Sequence, residues 1–148
     1  MHTVKNTVIS APSQMILFIG TTVLGAIHDY RLLKEEFPPQ FNWFKRLGVW
    51  IDLGYIGFAK SYKTKNLNIP YKKPYKTKNN PNPKFTPAQK EHNRQVSKVR
   101  VKVENAIGGA KRYNILVQRF RNKSEMLRDK AIFYAAGLWN FSKGFSFS

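Results

Sequence analysis

The first 52 residues alternate short apolar runs with polar breaks, which predicts strands joined by turns. Residues 4–10 mix β-branched and polar side chains, as strands do, and residues 15–21 form a near-continuous apolar run that predicts a buried strand. Asp29 is placed to cap a short helix through Glu36, which the prolines at positions 38 and 39 end. Residues 49–51 predict a second buried strand, with Asp52 at its carboxyl end.

Residues 60–84 differ in kind from the rest of the chain. They contain eight lysines, four prolines and three tyrosines but no acidic residue. Low apolar content and charge repulsion predict an extended, mobile loop, with residues 69–70 forming a short edge strand. Lysines interleaved with Tyr62, Tyr71 and Tyr75 suit contact with phosphates and with bases or sugars. A solvated linker is the alternative interpretation.

A long helix is predicted to begin at Pro87. Thr86 is suited to the N-cap position and Gln89 completes a capping box, while proline is favoured as the first helical residue. The helical pattern continues to about Arg112, with a break at residues 108–109 left open. We expect residues 115–120 to form a strand or a turn, and Ser124 to cap a last helix that runs to about Phe141.

Within the long helix, Arg100, Glu104 and Lys111 fall on one stripe. At about 100° per residue they lie within about 40° of one another, and Ser97 lies close beside them. The neighbouring arc is apolar and suited to burial; it holds Val96, Val99, Val103, Ala106, Ile107 and Ala110. The opposite side is solvated and holds Lys98, Lys102, Asn105 and Arg112. A carboxylate flanked by cations suits a site that holds a metal ion and a phosphodiester together.

Charge is the second strong indication of function. The 148-residue chain, long enough for one core, has a formal net charge of +18, and 20 of its 26 basic residues lie within residues 60–130. A charge of this size indicates a polyanionic partner. The apolar runs at residues 15–27 and 131–139 are too short to span a bilayer, and no secretory signal is found. We therefore expect a cytoplasmic, nucleoid-associated protein that does not bind membranes.

The residue types available restrict any metal site. The chain contains no cysteine, and His2, His28 and His92 are scattered without metal-ligand spacing. A metal would have to be held by oxygen, which indicates Mg²⁺ or Mn²⁺ rather than zinc.

The spacing Ser-x2-Arg-x3-Glu-x6-Lys resembles the signature around the catalytic glutamate of DDE transposases. The nearest group is the bacterial one related to insertion sequence five, with its Harbinger-type relatives; Ser97 takes the place of the usual tyrosine. Five segments agree in order and carry the resemblance from His2 to about Arg121: HTVKNTVIS, GAIHDYRLLKEE, VWIDLGYIG, IPYKKP and RVKVENAIGGAKRYNIL.

The resemblance implies an α/β, ribonuclease-H-like DDE domain over residues 1–148, with a basic loop at about 60–85. It implies that the chain is truncated at the amino end, because the family's first strand and first catalytic aspartate would precede His2. By the same resemblance Asp52 and Glu104 are catalytic residues and ligands of a two-metal Mg²⁺ or Mn²⁺ site. The implied DNA-binding residues are Arg100, Lys111, Lys72 and Lys73.

Simpler interpretations remain open for the site residues. Asp52 could cap the bend at Gly54, and Glu104 could form a helix-surface ion pair with Arg100. The cations could be ordinary surface charge. Asp29 could stand in for the missing aspartate, although N-capping fits it better, and His28 is better explained as a structural residue than as a base.

The sequence therefore predicts a DNA transposase fragment that binds DNA and, without the first aspartate, cleaves it poorly. Its expected partners are DNA and either a second copy of itself or the missing amino-terminal half. The main alternative is a non-catalytic DNA-binding protein or transposition regulator derived from a transposase. A ribosome-associated basic protein is a third interpretation.

Overall fold

The computed structural model describes residues 4–118 and 125–144, without the side chains of residues 114–118, 125 and 128. The chain forms two compact units. The first unit comprises Met1–Glu36 with Val101–Ser148, and the second comprises Phe37–Arg100. Short strands and helices alternate along the chain, consistent with an α/β fold. In the described part of the chain the strands form three two-stranded sheets.

Four short strands make up the sheets of the first unit. Strand β1 (Val4–Lys5) pairs with β4 (Val23–Leu24), and β2 (Val8–Ser10) pairs with β3 (Ile16–Ile19), both antiparallel. The first predicted strand, at 4–10, is divided into β1 and β2. The second, at 15–21, is present as β3 alone, and β4 was not predicted. The prediction that the second is fully buried was wrong, because the side chain of Leu17 points away from the core and is 56% exposed.

Helix α1 (Asp29–Glu36) has the predicted bounds and buries Leu32 and Leu33. The prediction that Asp29 caps it was wrong. Asp29 is the first helical residue, and its carboxylate accepts a hydrogen bond from Lys5 Nζ at 2.8 Å. His28 Nδ1 instead accepts a 3.3 Å hydrogen bond from the Tyr30 backbone N–H. Asp29 therefore forms an ion pair with Lys5, which is distant in sequence, and does not cap the helix.

Helix α3 (Pro87–Gln118) begins as predicted. The Thr86 backbone N–H donates to Gln89 Oε1 at 3.0 Å, and the Gln89 N–H donates to Thr86 Oγ1 at 3.2 Å, which completes the capping box. The helix continues without a break through residues 108–109, so residues 115–118 are helical rather than a strand or turn. Helix α4 is Glu125–Ser142. The rest of the predicted 115–120 segment and the Ser124 cap lie outside the described residues.

The core of the first unit joins β3 to helices α3 and α4. Its buried cluster consists of Ile16, Ile19, Ala106, Ala110 and Ala136. Gly109 packs against the ring of Trp139, and a Cβ atom there would collide with that ring. Asn140 is 3% exposed; its amide accepts from the Ile16 N–H and donates to the Ile16 carbonyl, both at 2.9 Å.

The second unit contains the parallel strands β5 (Gly48–Trp50) and β6 (Asn66–Asn68). Between them lie a 3₁₀ helix (Leu53–Tyr55) and helix α2 (Phe58–Ser61). The predicted strand at 49–51 is present, but it is not fully buried, since Trp50 is 40% exposed. The edge strand was predicted at residues 69–70, but the strand that forms, β6, lies at 66–68. Its pairing with β5 involves two asparagines, at 66 and 68, as well as Leu67.

An aromatic cluster forms the core of the second unit. Phe44, Phe58 and Tyr62 are all less than 10% exposed, with ring centroids 4.7–5.4 Å apart. The Tyr62 hydroxyl donates a 2.6 Å hydrogen bond to the Phe37 carbonyl, so its polar end is satisfied inside the unit.

Candidate metal and nucleic-acid site

Asp52 follows strand β5 directly and lies where that strand ends. Its backbone is extended, and its Oδ1 accepts a 2.7 Å hydrogen bond from the Leu53 N–H, so it caps the 3₁₀ helix. The capping interpretation left open by the sequence is therefore correct for one carboxylate oxygen. The side chain is 48% exposed, which leaves the carboxylate open to solvent.

The second oxygen of Asp52 faces a cation. Arg100 Nη1 of helix α3 lies 3.2 Å from Asp52 Oδ2, and both residues belong to the second unit. The structure thus brings together one predicted carboxylate and one predicted phosphate contact that are 48 positions apart in sequence. Because both side chains are about half exposed, the ion pair is weak, and another cation or anion can compete for either partner.

Glu104 and Lys111 lie on the same helix as Arg100 but belong to the first unit. Helix α3 is continuous, so Glu104 lies one turn beyond Arg100 on the predicted stripe. Both Glu104 and Lys111 are exposed. The predicted apolar arc is confirmed, because Val96, Ala106 and Ala110 are buried and its other members are partly buried.

Lys111 also lines a cavity of about 340 Å³ in the first unit. Sequence reasoning missed this cavity, because its lining comes from three strands and two helices that are distant in the chain. Its polar lining residues are Lys5, Asn6 and Lys111, and the others are Val4, Val8, Ile16, Ile19, Ile107, Ala110, Ile132 and Ala135.

The acidic residues decide how well the chain could hold metal ions. Carboxylate oxygen is the donor that Mg²⁺ and Mn²⁺ prefer, so Asp52 and Glu104 fit in kind. Among the described residues, however, no group of three or more Asp, Glu, His or Cys side chains could hold a metal ion. Four other acids are already engaged: Asp29 by Lys5, Glu35 by Arg31, Glu91 by Arg94, and Asp129 by the Thr22 N–H.

The lysine-rich segment carries the predicted contacts Lys72 and Lys73. All eight lysines of residues 60–84 are exposed, and no acid occurs in the sequence between Asp52 and Glu91. Lys72 Nζ lies 4.9 Å from the centroid of the Tyr75 ring, a cation–π contact.

In the described part of the chain, no helix combines the length and apolar character that a membrane crossing needs.

Two residues that sequence reasoning missed hold residues 69–71 of this segment on helix α3. Asn93 Oδ1 accepts from the Tyr71 N–H at 2.7 Å, and Asn93 Nδ2 donates to the Tyr71 carbonyl at 3.2 Å. His92 Nε2 lies 2.9 Å from the Ile69 carbonyl. These contacts attach residues 69–71 of the predicted extended, mobile loop to the helix. No local sequence signal predicts them, because each joins residues more than 20 positions apart.

Comparison with known proteins gives two matches. Residues 1–140 match the family described as DDE superfamily endonuclease. Over 143 residues the chain is 33% identical to the probable transposase for insertion sequence element IS702 of Microchaete diplosiphon. That alignment covers 95% of this chain and 46% of the transposase, so the chain spans about half the length of the curated relative it matches. No solved structure matches the chain.

Proposed function

Because this chain belongs to the DDE-superfamily endonucleases, we propose that it is part of a transposase that cleaves and transfers DNA strands with the help of divalent metal ions. The observation that carries the proposal is the pairing of Asp52 with Arg100 at the end of β5. There a metal-binding carboxylate and a phosphate-binding guanidinium lie side by side. A DNA-directed role places the protein with the nucleoid in the cytoplasm.

Asp52 and Glu104 supply the carboxylates of the site. Bound Mg²⁺ or Mn²⁺ would polarise the phosphodiester and lower the pKa of the attacking hydroxyl or water. Two divalent ions carry four positive charges, which two carboxylates do not balance. A third carboxylate therefore comes from outside the described residues, either from another segment or from a second polypeptide. We expect the chain by itself to bind DNA but to cleave it slowly or not at all.

The basic residues have two roles in this proposal: Arg100 acts at the metal site, and the lysines bind DNA phosphates around it. Arg100 can bind two phosphate oxygens at once because its guanidinium is planar and forked. Metal binding at Asp52 would leave Arg100 available to a phosphate. Lys111 adds a contact further along helix α3, and Lys72 and Lys73 bind phosphates away from the reacting bond. The net charge of +18 supports this use of the basic surface.

The experiment compares DNA binding and plasmid nicking by the wild type and by Asp52→Asn and Glu104→Gln, each with and without Mg²⁺. We expect DNA binding that falls steeply with salt, and a further gain in Mg²⁺ that both variants lose. Glu35→Gln, which removes the same charge from an exposed helix position, serves as the control and should keep that gain. Fast nicking abolished by Glu104→Gln would contradict the need for a third carboxylate.

A non-catalytic DNA-binding regulator derived from a transposase is the second candidate. It is favoured by the same Asp52–Arg100 ion pair, because a carboxylate neutralised by arginine needs no metal ion. This function predicts the same steep salt dependence with no response to Mg²⁺. If both carboxylate variants bind DNA as the wild type does in Mg²⁺, the regulator replaces the transposase as the better assignment.

A further inference from the structure

The three tyrosines of the lysine-rich segment differ in exposure and in the contacts they make, although their sequence context gives no reason to distinguish them. Tyr62 is 5% exposed and belongs to the aromatic core of the second unit. Tyr71 packs edge-on against the His92 ring, with centroids 5.1 Å apart, and its backbone is held by Asn93. Tyr75 is 71% exposed. Tyr71 is 49% exposed, so Tyr75 offers the largest free ring surface of the three to a ligand.

Hydrogen bonds hold the backbone on both sides of Tyr75. On one side, Asn93 and His92 hold residues 69–71 on helix α3. On the other, Thr77 and Asn80 exchange two backbone hydrogen bonds of 3.1 Å, and Thr77 Oγ1 accepts a third from the Asn80 N–H. An exposed aromatic ring between an anchored segment and a local turn loses less conformational freedom on binding a ligand than one in an unconstrained chain.

Positive charge surrounds the ring. Lys72 lies over one face of Tyr75 at 4.9 Å from the centroid, and the large exposed fraction of the side chain leaves ring surface for stacking. Lys73 and Lys76 are also exposed and lie within two positions of Tyr75 in sequence. An aromatic ring among cations is the combination that binds single-stranded nucleic acid, where the base stacks and the phosphates pair with lysine.

We propose that Tyr75, with Lys72 and Lys76, binds an unpaired base and its flanking phosphates in single-stranded DNA. In duplex DNA the bases stack on one another, and an exposed ring has no free base face to contact. This inference rests on the proposed function, DNA binding, and adds which form of DNA the segment recognises. A DNA end with an unpaired tail is the substrate form that it fits.

The test measures binding to two oligonucleotides, a blunt duplex and the same duplex with a single-stranded tail that carries the fluorescent base 2-aminopurine. We expect the wild type to prefer the tailed form and to quench the fluorescent base. Tyr75→Ala should weaken binding of the tailed form by about five- to one-hundred-fold and abolish the quenching, while duplex binding changes little. Tyr75→Phe keeps the ring and should bind as the wild type does.

Lys63→Ala is the matched charge control, since Lys63 is exposed in the same segment but distant in sequence from Tyr75. It should weaken both DNA forms to the same small extent. Equal losses for Tyr75→Ala on both forms, or no loss on either, would overturn the inference while leaving DNA binding intact. Tighter binding to a tail of RNA than to one of DNA would also overturn it. A wild type that binds neither DNA form would instead contradict the proposed function.

Discussion

Arg100 Nη1 lies 3.2 Å from Oδ2 of Asp52, while Oδ1 of the same carboxylate caps the 3₁₀ helix that follows β5. Both oxygens are thus engaged before any metal ion binds. The backbone cap is local and compatible with metal binding, whereas a guanidinium at this distance competes with a cation for the same oxygen. Under the proposed function, Arg100 would therefore couple metal binding at Asp52 to the DNA phosphates.

Replacing Arg100 by alanine should strengthen metal binding. Loss of a half-exposed ion pair removes a competitor worth about 0.2–1 kcal/mol, so the dissociation constant for Mn²⁺ should fall by up to about five-fold. Calorimetric titration of the protein with Mn²⁺ alone measures it. Arg94→Ala, which breaks the Glu91 ion pair on the same helix, should leave Mn²⁺ binding unchanged. Weaker Mn²⁺ binding by Arg100→Ala would show that the guanidinium supports the carboxylate rather than competing for it.

Adjacent glycines on helix α3 should respond in opposite directions to alanine. Nothing lies within 4 Å of a Cβ added at Gly108, so Gly108→Ala should stabilise the fold by about 0.5–1 kcal/mol through helix propensity. Gly109→Ala forces the Trp139 ring to move and should lower the melting temperature. Thermal unfolding followed by circular dichroism compares the pair. Equal stabilisation by both substitutions would mean that Trp139 does not pack on this helix as described.

The buried amide of Asn140 should be costly to remove. Asn140→Ala leaves the N–H and the carbonyl of Ile16 without partners, at about 1–3 kcal/mol for each group. Urea unfolding measures the loss. Asn105→Ala, at an exposed position of helix α3, is the control and should change the free energy of unfolding by less than about 0.5 kcal/mol. A similar small change for Asn140→Ala would contradict the described pairing.

Glu36 should make the fold less stable as pH rises. Burial raises the pKa of its carboxyl above 4.5, with a small further increase from Glu35, while Thr7 lowers it in part. The folded state therefore holds the proton more tightly than the unfolded state does. This contribution to stability is complete below the unfolded pKa and is lost as pH rises through the folded pKa.

Glu36→Gln should therefore raise the free energy of unfolding at neutral pH and lose this advantage as pH falls toward 4.5. Melting temperatures measured across this pH range provide the comparison. Glu35→Gln, at the exposed neighbouring position, should not reproduce the pH dependence. An advantage of Glu36→Gln that is the same at every pH would assign the effect to packing.

Local signals in the sequence predicted the helices well. The Thr86 and Gln89 pattern located the start of α3, because a capping box uses residues only three positions apart. The bounds of α1 were also predicted, although Asp29 does not cap that helix as expected. Strand β6 was misplaced because its sequence, Asn-Leu-Asn, has a single apolar residue and pairs with β5 through its backbone.

The candidate site was predictable only in part. Asp52 and Glu104 follow from the resemblance, and Arg100 from the helical stripe, but the contact between Asp52 and Arg100 depends on tertiary folding. The hydrogen bonds of Asn93 and His92 to residues 69–71 likewise depend on tertiary folding. Periodicity specifies which residues share a face of one element; it contains no information about which side chain of another element meets that face.

The Asn140 amide bonds to Ile16 as a neighbouring strand would, and therefore closes the outer edge of β3 at its first residue. Open strand edges are where folded proteins join one another and precipitate. A shortened version of this chain that ends before Asn140 would expose that edge. Poor solubility of such a deletion would reflect the uncovered strand rather than the loss of a DNA-binding or catalytic residue.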